Sequence, residues 1–184
     1  MDWTKTVCCP SCGIEHVEIN KVPYTRDHLA STVIINLSCP NCGFKYSDIS
    51  VSNSHEPKAY TFRIKTPDDL KTKIIRSSTG YIKIPEFGIE LTPGSFSQSF
   101  IMNIESLLND FEENIKTLVS HCNLGNRIKK DKLLSRLEKA KKGKISFNII
   151  LKDSQGCSMI KPYHGGKIRV RKLSLKEINA LKSF

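Results

Sequence analysis

The chain has 184 residues, 39% hydrophobic and 26% charged, enough apolar content for one medium core plus a small satellite module and too much for overall disorder. Its 29 lysines and arginines against 18 acids give a formal charge of +11, which favours an acidic or polyanionic partner surface. No apolar run approaches the roughly 20 residues of a membrane span, and the first residues lack the basic and apolar regions of a leader, so a cytoplasmic protein with no membrane partner is expected.

The first element in the chain is also the most informative. Cys9-Pro10-Ser11-Cys12-Gly13 returns as Cys39-Pro40-Asn41-Cys42-Gly43. Two residues between paired cysteines let one tight turn aim both sulfurs at one ion, and the glycine accepts the positive φ that closes the turn. Cys9, Cys12, Cys39 and Cys42 are therefore expected to hold one structural Zn2+. Four thiolates leave no position for water or substrate, so this metal folds the chain rather than reacts. Cys8 breaks the repeated phrase and is expected to be a spectator, His16 suits a strand surface, and Cys122 and Cys157 read as small hydrophobes. Between the knuckles, Val17, Ile19 and Val22, then Val33, Ile34, Ile35 and Leu37, predict two strands of a zinc ribbon spanning residues 1–52.

Residues 53–184 are expected to form a second unit of mainly β structure. Tyr60, Phe62 and Ile64 alternate with polar residues, Tyr81, Ile82 and Ile84 precede Pro85, and Phe87, Ile89 and Leu91 alternate up to Pro93-Gly94. Two helices follow, a hairpin inserted at about 103–143. Ile104, Leu107, Leu108, Phe111, Ile115, Leu118, Val119 and Cys122 make one helical stripe, Asn123 to Asn126 reads as the turn that ends it, and Ile128, Leu133, Leu134, Leu137 and Ala140 make a weaker second stripe before Gly143. The second helix is strongly basic: between Arg127 and Lys144 nine cations face two acids. Glu105, Asp110, Glu112 and Glu113 on the first helix are expected to neutralise part of that excess. Phe147, Ile149 and Leu151 then resume the strand period, Asp153 to Gly156 reads as a tight turn into Met159 and Ile160, and a last strand through Ile168, Val170 and Leu173 meets the capping box Ser174-Leu175-Lys176-Glu177 of a terminal helix. The expected fold is mainly β with an α insertion: a four-cysteine zinc ribbon plus an antiparallel β-sandwich or barrel carrying a helical hairpin.

The chemistry of common enzyme sites is missing from the sequence, and no catalytic residue is assigned. His16, His28, His55, His121 and His164 show no spacing with a carboxylate that makes an iron triad. Lys65-Thr66-Pro67 follows no glycine-rich phosphate loop, and Ser95 and Ser97 lack a nucleophile-elbow context. His164-Gly165-Gly166 reads as a flexible turn.

Taken together, the two C-P-x-C-G knuckles, Lys21-Val22-Pro23-Tyr24, Asp69-Leu70, Ile74-Ile75-Arg76-Ser77, Ile84-Pro85-Glu86-Phe87, Leu91-Thr92-Pro93-Gly94, Ile104-Glu105-Ser106-Leu107-Leu108 and the Asp153 to Ser158 turn resemble the ZPR-type zinc-finger domain family. That domain occurs as a tandem pair in eukaryotic proteins and as a single copy in archaeal relatives, and the lone copy here resembles the archaeal type. Met102-Asn103, Ser106 and Cys157 depart from the family's usual residues. The resemblance implies a ribbon joined to a compact β unit with a helical hairpin. It also implies a binding protein, not an enzyme, that grips translation elongation factor one-alpha, a GTPase, and assists its folding with no small-molecule substrate. Phe44 and Tyr46 beside the second knuckle, and Arg127, Lys129, Lys130, Lys132 and Arg136 on the hairpin, are the expected partner contacts. An RNA- or ribosome-binding zinc ribbon is the alternative, since Lys167, Arg169, Arg171 and Lys172 add a second basic patch.

Overall fold

The computed structural model describes residues 7–24, 32–51, 56–94, 97–119 and 124–183, side chains 24, 32, 49–51, 118–119 and 124–127 aside. Cys122, His28, His55, His121 and Ser95 lie outside them.

The knuckles frame a three-stranded antiparallel meander of β1 (Glu18–Tyr24), β2 (Thr32–Ser38) and β3 (Lys45–Val51). The first two are the strands predicted between the cysteine pairs. The third follows the second knuckle and was not expected. Register places Ile19, Leu37 and Tyr46 side by side in one row across the sheet. Every described side chain from Val33 to Ser38 is only half-buried, so this small sheet has no dry face of its own.

The later strands build two antiparallel sheets. One has the order β11 (Arg169–Lys172), β4 (Lys58–Ile64), β9 (Phe147–Asp153), β6 (Gly80–Ile84), β7 (Ile89–Leu91). The other has the order β10 (Met159–Lys161), β5 (Lys73–Arg76), β8 (Phe100–Asn103). Strict alternation in β9 turns Phe147, Ile149, Leu151 and Asp153 inward, and the same period turns Phe62 and Ile64 of β4 and Ile82 and Ile84 of β6 onto that layer. Ile74 of β5 and Ile160 of β10 meet it from the second sheet. Burial of each such side chain stabilises by about 1.5–3 kcal/mol, so this one cluster dominates the fold.

Helices α1 (Ile104–Val119) and α2 (Leu124–Lys141) join the same core through Ile104, Leu107, Leu108, Leu137 and Ala140. Their mutual attraction is realised at Glu112. Its carboxylate takes the Lys116 ammonium at 2.5 Å within α1 and the Lys141 ammonium of α2. The segment read as a helix-ending turn is different: Leu124 to Asn126 already belong to the first turn of α2. A second difference is Phe87, expected in a strand but found in a single 3-10 turn, Pro85–Phe87. Proline at its first position presets φ for that turn, and the Phe87 ring packs on Phe147 with centroids 5.2 Å apart. The predicted capping box holds: Ser174 and Glu177 open α3 (Leu175–Lys182), which lays Leu181 and Ile178 over Ala59 and Tyr81.

Candidate metal centre and binding surfaces

Both knuckles fold the same way because the same phrase dictates the same hydrogen bonds. Cys9 N–H donates to Ile14 O at 2.9 Å and Gly13 N–H to Cys9 O at 2.8 Å; Cys39 N–H donates to Phe44 O at 2.8 Å and Gly43 N–H to Cys39 O at 3.0 Å. Gly13 and Gly43 sit at φ of 74° and 73°, a region that costs other residues strain. The β1–β2 pairing then brings the two turns together.

The consequence is a cluster in which the sulfurs of Cys9, Cys12, Cys39 and Cys42 all lie within 4.8 Å of one another. Cys9 to Cys42 and Cys12 to Cys39 are each 3.7 Å. A tetrahedral zinc with bonds of about 2.3 Å sets its sulfurs about 3.8 Å apart, so the donor set and its spacing both fit that ion. Cys9 and Cys39 are buried while Cys12 and Cys42 face solvent. The Ile14 backbone N–H and the Asn41 side-chain amide, 3.6 Å from the sulfur, hold the Cys12 thiol down at about 6. Burial pushes the Cys9 thiol up to about 11, so closing the set as four thiolates needs a cation. Cys8 is exposed and outside the cluster, bridging instead to Glu15 through the backbone. His16 is exposed in a connection, not a strand.

Next to the cluster, the meander presents apolar side chains to solvent. Val7 and Ile14 beside the first knuckle, and Ile19 and Val22 along β1, are among the exposed large hydrophobics. Sequence alternation does not show this, because Ile19 and Val22 fall on opposite faces of β1 and both are exposed. Phe44 and Tyr46 are half-buried; Tyr46 ends the row begun by Ile19 and Leu37.

The predicted hairpin contacts separate from one another. Lys129 and Lys132 are exposed and Lys130 is half-buried, while the Arg127 side chain lies outside the described residues. Arg136 is engaged within the fold: its Nη2 donates to Glu86 O at 2.7 Å, and its guanidinium lies 5.5 Å from the Phe87 ring centre. The C-terminal basic patch divides as well. Arg171 forks onto Glu177 at 2.7 and 2.8 Å, and Lys172 reaches Glu56 at 2.6 Å, whereas Lys167 and Arg169 line a separate groove.

A buried polar cluster went unread in the sequence. Arg76, 2% exposed, donates from Nε to Gly80 O at 2.8 Å, from Nη1 to Gln98 O at 2.8 Å, and from Nη2 to Thr92 O at 3.1 Å and Ser97 Oγ at 2.5 Å. Beside it Asp153 is fully buried. Every partner of Arg76 is part of the fold, so this cluster is a structural pin. Cys157, read as a small hydrophobe in apolar surroundings, is half-buried in the loop after β9 with its thiol 3.7 Å from Gln155 O.

Among the described residues no helix is long and apolar enough to cross a membrane. Residues 68–179 match the family model of the ZPR1 jelly-roll domain. The chain is 33% identical to an uncharacterised ZPR1-like protein of Methanocaldococcus jannaschii, with 99% of this chain and 91% of that one covered. It is 30% identical to one of Pyrococcus horikoshii, covering 94% and 78%. A more distant relative is the zinc finger chaperone zpr1 of Schizosaccharomyces pombe, 26% identical over 85% of this chain but 35% of that longer protein. By family model, full-length similarity and repeated cysteine knuckles, the chain belongs to the ZPR1 family.

Proposed function

We propose that this chain is a cytoplasmic, non-catalytic binding protein that grips translation elongation factor one-alpha and assists its folding. Residues 1–52 act as a zinc ribbon and residues 53–184 as the β unit that carries the hairpin. Cys9, Cys12, Cys39 and Cys42 would hold one zinc ion, whose chemistry is to cross-link the two knuckles. The observation that carries the proposal is the adjacency of this four-sulfur cluster to the exposed apolar side chains of Val7, Ile14 and Ile19. A relative named a zinc finger chaperone supports it.

A row of Ile19, Leu37 and Tyr46 with Phe44 beside it offers apolar contact and aromatic bulk, and Lys129 and Lys132 offer charge that steers an acidic client. Arg136 holds the hairpin to Glu86 and so shapes this surface more than it reaches out. Assistance requires release: a ligand shifts an equilibrium only by its differential affinity for two states, so the mature client must bind less tightly than the unfinished one.

The test is binding of the zinc-loaded chain to purified elongation factor one-alpha, nucleotide-free and GTP-bound. The nucleotide-free form is expected to bind at least about tenfold more tightly. Equal affinity for both forms, or none for either, removes the client. RNA contact, the second reading, rests on the exposed Lys129 and Lys132; it predicts tight RNA binding with a steep salt slope.

A further inference from the structure

Where β11 ends, the sheet leaves a notch. β11 pairs with β4 only from Lys58 to Thr61, although β4 runs to Ile64. Phe62, Arg63 and Ile64 thus have no β11 partner on that edge of the sheet, because the strand pairing begins only at Arg169, after Gly166 and Lys167. Gly166 passes so close to Phe62 that an added Cβ would sit 2.8 Å from its ring, which brings Lys167 down beside β4. The resulting groove has a volume of about 440 Å³ and is lined by four cations, Arg63, Lys65, Lys167 and Arg169. All four are exposed. Among the described residues no carboxylate forms an ion pair with Arg63, Lys167 or Arg169, in contrast to neighbouring Arg171 and Lys172. Asp69 is the one acid in the lining, and its Oδ2 is taken by the Lys65 and Thr66 backbone N–H groups at 2.9 Å and the Thr66 hydroxyl at 3.1 Å.

We propose that this notch docks an acidic, extended peptide segment of a protein partner, continuing the sheet edge beyond β11 while its carboxylates meet Arg63, Lys65, Lys167 and Arg169. Charge complementarity selects the acid, and an edge with three unpartnered strand residues selects the extended backbone. Two arginines at one groove favour carboxylate forks, which a planar guanidinium accepts in bidentate geometry. A nucleic acid fits less well: the lining's aromatic side chain, Phe62, is 2% exposed and too buried to stack a base. This site is distinct from the ribbon and hairpin surfaces and does not depend on the client's identity.

The experiment is fluorescence anisotropy of the full zinc-loaded chain with a labelled peptide of about six residues, an ordinary strand length, alternating glutamate and valine. Wild type should bind saturably, and the charge-reversed pair R63E/R169E should weaken binding by at least about tenfold, whereas K176E/K182E on α3, both exposed, should leave it unchanged. The neutral pair K65Q/K167Q should weaken it in the same direction but less, and decides the matter if R63E/R169E loses its near-ultraviolet circular dichroism. Unchanged affinity in the folded groove variants overturns the proposal. So does an absence of peptide binding beside a single-stranded RNA that binds wild type and is lost in the groove variants.

Discussion

Ser77 and Asp153, 76 residues apart, meet through a 2.8 Å hydrogen bond from the Ser77 hydroxyl to Asp153 Oδ2. The same oxygen accepts from Ser158 N–H and Ser158 Oγ, both at 2.7 Å, and Oδ1 accepts from Thr79 Oγ1 at 2.7 Å and Gln155 N–H at 2.8 Å. One buried carboxylate therefore ties the end of β5, the start of β6 and the β9–β10 loop.

Replacing Asp153 by Asn turns one acceptor oxygen into a donor amide facing hydroxyls and backbone N–H groups. The expected cost is about 2–4 kcal/mol in denaturant unfolding. Burial pushes this carboxyl up, but donors from Ser158, Thr79, Gln155 and Ser77 outweigh it and hold it below the ordinary carboxylate range. A depressed folded pKa stabilises above the unfolded value of about 3.9 and is lost as pH falls through the folded one. Stability of the wild type should therefore decline below about pH 4, and the Asp153→Asn variant should show a flatter decline.

Arg76→Lys keeps the charge and removes the fork. Lysine's single ammonium cannot reach Gly80 O, Gln98 O and Thr92 O together, so at least one of these carbonyls loses its donor. Destabilisation of about 2–3 kcal/mol is expected, with faster proteolysis around residues 92–98; wild-type stability in this variant would show that the fork is dispensable.

Leu137 on α2 is fully buried. Leu137→Ala should cost about 2–5 kcal/mol through lost burial and the cavity left behind. Exposed Ile128, on the same helix, should tolerate alanine within about 0.5 kcal/mol. Paired urea titrations of the two variants check the contrast.

Cobalt replaces zinc with visible absorption. One equivalent should give the spectrum of a tetrahedral tetrathiolate, and Cys39→Ser should lose that spectrum and most metal affinity. Binding should also weaken as pH falls, because thiols must lose protons to ligate. Cys8→Ser, outside the cluster, should change neither spectrum nor stoichiometry; a six-coordinate spectrum would refute the four-sulfur site.

Much of this molecule could be read from its residues, and the misses share physical causes. The knuckles were legible because ligand spacing is local, and β4, β6 and β9 because one of their faces is dry. β3 was not. Its described side chains from Lys45 to Asp48 alternate only between exposed and half-buried, and β2 beside it is half-buried from Val33 to Ser38, so no dry face marks it. β8 is half-buried at all four positions and so carries no alternation, and β5 buries Ile74, Ile75 and Arg76 in succession. The Asp153 cluster draws on serines and a threonine that look like turn residues until the fold brings them together. The C-terminal cations read as one patch, yet Glu177 and Glu56 claim Arg171 and Lys172 and leave Lys167 and Arg169 to the groove.

The most direct measurement returns zinc stepwise to the chelated chain while its binding to nucleotide-free elongation factor one-alpha is followed by calorimetry. Binding that rises with metal and saturates at one zinc per chain is the predicted result. Full binding by the metal-free chain would contradict the account.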